Sequence, residues 1–279
     1  MSATQIGQNL AFINWTVLTG LALGSYATVV LLQQRTTATP GYLRFTAICA
    51  LAFGSLAWLS DGALPASLGQ SPVVVDASWD APRRAALGLF CGLVAAGLVA
   101  GRLGPRPRST IQAAGMVAAA ATLLFAALAW GGGSLGTAAL LVQLAIVSGV
   151  TGGVFAAMIL GHWYLVTPKL AEAPLILLAR VLFGLVVVQV VLFWAWVAIG
   201  AGPADVAPFA ALVGPWALFV WLRLIVGLVF PLIVSWAAVQ TARSRSMESA
   251  TGLLYINVGS IAAGTILAAG LYFGAGLLV

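Results

Sequence analysis

The chain has 279 residues, 62% hydrophobic and 6% charged, with 12 Lys and Arg against 6 Asp and Glu. A soluble domain carries about a quarter charged residues, so this composition cannot cover a water-facing surface, and lipid must take that role; the mean hydropathy is +1.09. The net charge of +6 does not point to nucleic acid. The basic residues fall in connections between apolar runs, where they orient membrane helices.

Taken in order, the apolar runs predict eight spans of about 20–25 residues each. Span 1 covers 11–32 and stops at the polar run before Pro40; span 2 covers 42–59. The longest connection, 60–84, mixes Asp61, Asp76 and Asp80 with prolines and Trp79. Span 3 (85–101) ends at Pro/Arg punctuation, and span 4 (111–130) meets a glycine turn. Span 5 (137–166) is long enough to imply a non-helical start or a tilt. Span 6 begins at Pro174, which suits a first helical turn, and ends near Gly200. Span 7 covers 216–240 and span 8 covers 250–278. The fold expected is therefore all-α: one polytopic helix bundle occupying 1–279, with no separate soluble domain.

Loop charge gives the orientation. Arg35, Arg44, Arg102, Arg106, Arg108, Lys169, Arg243 and Arg245 fall on one side, and Arg83 and Arg84 on the other. The positive-inside rule puts the first set in the cytoplasm and both termini outside. The uncharged start MSATQIGQN lacks the basic region of a cleaved signal peptide and crosses a membrane at little cost. Trp15, Trp58, Trp79, Trp130, Trp163 and Trp216 lie near span ends, and interfacial anchoring is the expected role for most of them. Cys49 and Cys91 lie in apolar stretches without metal or redox spacing and read as inert thiols.

Ionisable groups inside spans are the functional candidates, because each is costly in lipid. By depth they form two collections. Near the cytoplasmic face, His162, Tyr164, Arg180, Tyr255 and Asn257 form the richer one, with Tyr26 and Thr46 at similar depth. The short loop after span 5 makes spans 5 and 6 antiparallel neighbours, so one pocket holding His162, Tyr164 and Arg180 is expected. Arg223, Gln143 and Asn14 form a second polar site in the outer half. Plainer roles are open to all of them: the arginines can snorkel and His162 can cap span 5. Arg180 and Arg223 are each followed four residues later by Gly and then Leu-Val. The echo implies either a shared role or coincidence in a Leu/Val-rich chain.

One histidine excludes bis-His haem, and the ligands of iron–sulfur clusters and structural zinc are missing. Buried carboxylates, usual in cation-coupled pumps, are absent from the spans. An apolar-walled site with a titratable imidazole beside phenols suits a quinone headgroup. In helix count and charge pattern, though in no residue motif, the chain resembles the membrane anchors of molybdopterin and polysulfide-type respiratory reductases. That resemblance implies a quinone-interacting subunit in the bacterial inner membrane, without a metal centre of its own. It would hand electrons to redox centres on partner subunits; loop 60–84 is expected to contact a partner or to cap the bundle from outside. The alternatives are a small permease for an apolar or weakly anionic solute, with the arginines as counter-charges, and a purely structural subunit.

Overall fold

The computed structural model describes residues 3–100, 105–167 and 170–279, with side chains from residue 9 and, in the second of these stretches, from Arg108. Arg102 and Lys169, counted above for orientation, lie outside the described residues, as does the side chain of Arg106. Among the described residues the structure is all-helical, and eight helical segments are long and apolar enough to cross a membrane. They are α1 (Ala3–Arg35), α2 (Pro40–Asp61), α3 (Asp80–Ala100), α4 (Pro105–Trp130), α5 (Ser134–Val166) and α6 (Ala173–Ile199). The seventh span joins α7 (Ala217–Leu224) to α8 (Phe230–Arg243), and α9 (Met247–Ala275) is the eighth.

The ends of α1, α3, α5 and α8 and the starts of α2, α4, α6 and α9 share one end of the bundle. We call it the basic face, since it carries Arg35, Arg44, Arg108, Arg243 and Arg245. Short links there make sequence neighbours antiparallel.

α1 and α5 form the centre of the bundle. A Cβ on Gly24 would lie 1.9 Å from the Ser148 carbonyl oxygen, and one on Gly152 2.3 Å from the Ser25 nitrogen. The two backbones therefore touch, as small residues allow in membrane helices. Ser25 Oγ donates to the Gly152 carbonyl across the contact (3.2 Å). Around this axis, α1 to α4 close one apolar core containing Phe12, Trp15, Phe90 and Trp130, joined by Phe273 of α9. A second core packs Tyr42, Leu160, Leu182 and Leu254 toward the basic face.

One expectation needs correction and another is narrowed. Trp15 and Trp130 are fully buried and pack edge-on at 4.9 Å, so they are core residues and not interfacial anchors. A tryptophan near a span end satisfies either role, and here loop 60–84 folds over that end and covers it. Within the loop Leu68 and Val73 are buried, the Asp76 N–H bonds the Ala129 carbonyl (2.8 Å), and Trp79 stacks on Phe125 (5.7 Å). Span 5 is helical from Ser134 onward. Of the two options this removes the non-helical start and keeps the tilt: at about 1.5 Å per residue its 33 residues exceed a hydrocarbon core of roughly 30 Å.

Span 7 is interrupted by a single π-helical stretch, Ile225–Val229, where the Phe230 N–H reaches back to the Ile225 carbonyl. Pro231 has no N–H to offer the carbonyl four residues earlier, that of Gly227. Arg223 Nη1 donates to that carbonyl instead (3.1 Å).

Candidate functional site

The run Gly161–His162–Trp163–Tyr164 closes α5 at the basic face, and each residue meets a different neighbour. A Cβ on Gly161 would lie 2.7 Å from Thr251 Oγ1, so this glycine seats α9. Trp163 packs against Gly41 and edge-on to Tyr42 of α2. Tyr164 is buried and its hydroxyl donates to the Ala171 carbonyl, tying down the link to α6. His162 points out of the packed interior and pairs with Tyr255 of α9, Nδ1 to hydroxyl at 3.2 Å. Both rings are exposed at the bundle surface, at an interplanar angle of 73°.

The other members of the expected inner collection do not join this pair through any hydrogen bond or ion pair among the described residues. Arg180 is exposed on α6, and a Cβ on Gly184, four residues on, would meet nothing within 4 Å. Asn257 lies on the opposite side of α9 from Tyr255. It is fully buried, donates from Nδ2 to Ser235 Oγ (2.8 Å), and locks α9 to α8. Two positions along a helix turn a side chain by about 200°, so Tyr255 and Asn257 could not share a face.

The outer collection separates too. Gln143 is satisfied within the fold: its Nε2 donates to the Val279 carbonyl (3.0 Å) and its Oε1 accepts from Trp196 Nε1 (3.3 Å). Asn14 is exposed on α1. Arg223 is 1% exposed. Beyond its bond to Gly227, its Nε and Nη2 have no partner among the described residues. The Arg–Gly echo therefore has different outcomes. In span 7 Gly227 meets Gly264 of α9 so closely that a Cβ would fall 2.6 Å from the facing Cα, and Arg223 lies against that contact. In span 6 the Arg and Gly face outward.

One ionic cluster was not foreseen as such. Arg83 is 1% exposed and binds Asp61 (Nε–Oδ2 2.8 Å) and Asp80 (Nη1–Oδ1 2.8 Å). Its guanidinium lies 4.9 Å from the Trp130 ring centroid. The i,i+3 spacing of Asp80 and Arg83 was visible, but the pairing with Asp61 joins the end of α2 to the start of α3 and depends on the path of the loop. The cluster holds the helices together at the face opposite the basic one.

Among the described residues no three His, Cys, Asp or Glu side chains converge on a metal-binding arrangement. The chain matches no protein-family model, and no curated protein matches it in sequence.

Proposed function

We propose that this multi-pass membrane protein is a quinone-interacting subunit of a respiratory electron-transfer complex in the bacterial inner membrane, with its basic face in the cytoplasm. The observation that carries the reading is the His162–Tyr255 pair, a titratable imidazole and a phenol held together on the bundle surface. A quinone headgroup confined to the bilayer can approach such a pair from lipid. The two ring nitrogens have different tasks. With the Tyr255 hydroxyl donating to Nδ1, Nε2 carries the hydrogen and can donate to a quinone carbonyl. With Nδ1–H donating to the phenol oxygen, Nε2 has a free lone pair and can accept a proton from a quinol hydroxyl. The pair thus serves either direction of the reaction, while the electrons pass to redox centres held by partner subunits. Loop 60–84, folded over the opposite end of the bundle, supplies a surface for a further subunit of the complex, whereas the redox partner must meet the end that carries His162 and Tyr255.

The test is photoaffinity labelling of native membranes with an azido-quinone. Saturable labelling near 162 and 255, lost in His162→Ala and weakened in Tyr255→Phe, is expected. Labelling equal in wild type and His162→Ala would overturn the reading.

A permease for a weakly anionic solute is favoured by a different observation, the buried guanidinium of Arg223 beside a helix break. Buried charges and interrupted helices mark solute paths in membranes. Solute uptake by proteoliposomes that is abolished in Arg223→Met and intact in His162→Ala would support this reading over the first.

A further inference from the structure

α1 to α4 enclose a cavity of about 220 Å³ that opens at the basic face, far in sequence from His162 and Tyr255. Its polar lining comes from Tyr26 of α1, Arg44 of α2, and Arg108 and Gln112 of α4. Leu43 and Val94 supply part of an apolar wall. The polar side chains are organised. Gln33 Oε1 accepts from both Arg108 Nη2 and Gln112 Nε2, each at 2.7 Å, which fixes the two α4 side chains side by side.

Positive charge at this rim is not neutralised from within. Asp61, Asp76, Asp80, Glu172, Asp205 and Glu248 are all the acidic residues of the chain. All are described, and the carboxylates in ion pairs serve Arg83 and Arg245. No carboxylate pairs with Arg44 or Arg108 among the described residues. Deeper in, Tyr26 is 3% exposed and its buried hydroxyl has no hydrogen-bond partner among the described residues. Buried polar groups are almost always satisfied, so this phenol is a donor awaiting an acceptor. It has little freedom to turn away: its ring lies edge-on to Phe90 (5.4 Å), and a Cβ on Gly115 would come 2.7 Å from its oxygen. Tyr26 stands nine residues before Arg35 at the end of α1, roughly 13 Å down the helix at the usual rise.

We propose that this cavity binds the phosphate-glycerol portion of an anionic phospholipid. The phosphate sits between Arg44 and Arg108 with the Gln112 amide, and an ester carbonyl below it accepts the Tyr26 hydroxyl. The acyl chains leave past Leu43 and Val94 to the bilayer. The cavity is smaller than the ~300–1,000 Å³ that encloses a whole drug-sized ligand, as expected of a site that takes a headgroup and leaves the tails outside. Basic pockets between helices on the cytoplasmic side suit anionic headgroups in general. The site shares no residue with the His162–Tyr255 pair, so either proposal can fail alone.

Native mass spectrometry of the whole protein, released from nanodiscs of equimolar phosphatidylglycerol and phosphatidylcholine, tests it. Wild type should retain phosphatidylglycerol at least tenfold over phosphatidylcholine. Arg44→Gln/Arg108→Gln should lose that preference, and Tyr26→Phe should weaken retention several-fold. Arg243→Gln, which removes an exposed charge from the same face, should leave it unchanged. Each variant is first shown to be monodisperse with wild-type helicity. Equal retention of the two lipids, or an equal loss in Arg243→Gln, would overturn the proposal, the latter by showing diffuse attraction of the whole face. Inorganic phosphate at millimolar concentration is the last arm: if it occupies the site in the mass spectrum and displaces the lipid, the ligand is a free phosphate and the lipid assignment falls.

Discussion

At the scale of single residues, burial separates side chains that carry the fold from those free to act. His162 and Tyr255 are exposed and share one hydrogen bond, so His162→Ala should leave the unfolding free energy of the purified protein within about 0.5 kcal/mol of wild type, the range of surface substitutions. A loss well beyond that would make the histidine structural. Asp61 is the opposite case. Removing it leaves the Arg83 guanidinium buried with half its acidic partners, and breaking a buried pair in this way costs about 3–5 kcal/mol. Thermal unfolding in detergent should show Asp61→Ala strongly destabilised, and Asp61→Leu/Arg83→Met restored toward wild type, because an apolar pair needs no counter-charge. An unaffected Asp61→Ala would mean that water reaches Arg83. Asp76, outside the spans, gives a pH signature. It accepts from the Ser78 hydroxyl (2.6 Å) and the Ser78 N–H (3.0 Å), and these bonds hold its carboxyl below the ordinary aspartate value. A lowered folded-state pKa adds stability above the unfolded value and loses it as pH falls through the folded one. Protection of the Ala77–Trp79 turn, taken as exchange relative to the intrinsic amide rate at each pH, should therefore fall only on acidification below the usual aspartate range, and Asp76→Asn should remove that dependence.

At the scale of elements, what the sequence discloses follows from how local the cause is. Span number and order were legible because twenty apolar residues between charged or proline-rich breaks are enough to specify a membrane helix. The short loop after span 5 was legible as a turn between neighbours, whereas Tyr164, read as a pocket residue, proves to be the side chain that ties that turn down. The π-helical interruption of span 7 was not legible, although Pro231 was in view, because the close approach of Gly227 to Gly264 joins segments far apart in the chain. The same applies to Trp15 and Trp130, whose burial depends on a loop some fifty residues away from either. Distant glycine contacts also set the central crossing, and two adjacent residues of α5 test it. A Cβ on Gly152 would strike the backbone of α1, whereas one on Gly153 would meet nothing within 4 Å. Gly152→Ala should force α1 from α5 and cost about 1–3 kcal/mol, as overpacking does. Gly153→Ala should be neutral or stabilising by up to about 1 kcal/mol, the helix-propensity difference. Equal effects at the two positions would mean that the helices do not touch there.

At the scale of the whole molecule, eight spans place both ends of the chain on one side of the membrane, and the loop charges decide which side. Among the described residues, Arg35, Arg44, Arg108, Arg243 and Arg245 stand at the basic face. Opposite them are Arg83 and Arg84. Arg83 is held in its ionic cluster, and the Arg84 guanidinium lies over Trp58, 4.4 Å from the ring centroid. Basic residues in short loops are retained in the cytoplasm, so the expected orientation has the basic face inside and the ends outside. The proposed sites depend on this direction: an anionic lipid cavity at Arg44 and Arg108 gains from the negative cytoplasmic leaflet, and a proton accepted at His162 would come from or return to the cytoplasm. Fusions of a fluorescent reporter that matures only in the cytoplasm, and of a phosphatase active only outside it, read the direction directly. The fluorescent fusion inserted between α1 and α2 should glow, and the phosphatase after Val279 should be active. The reverse pattern at both points would turn the molecule over, and with it the side from which each proposed ligand must arrive.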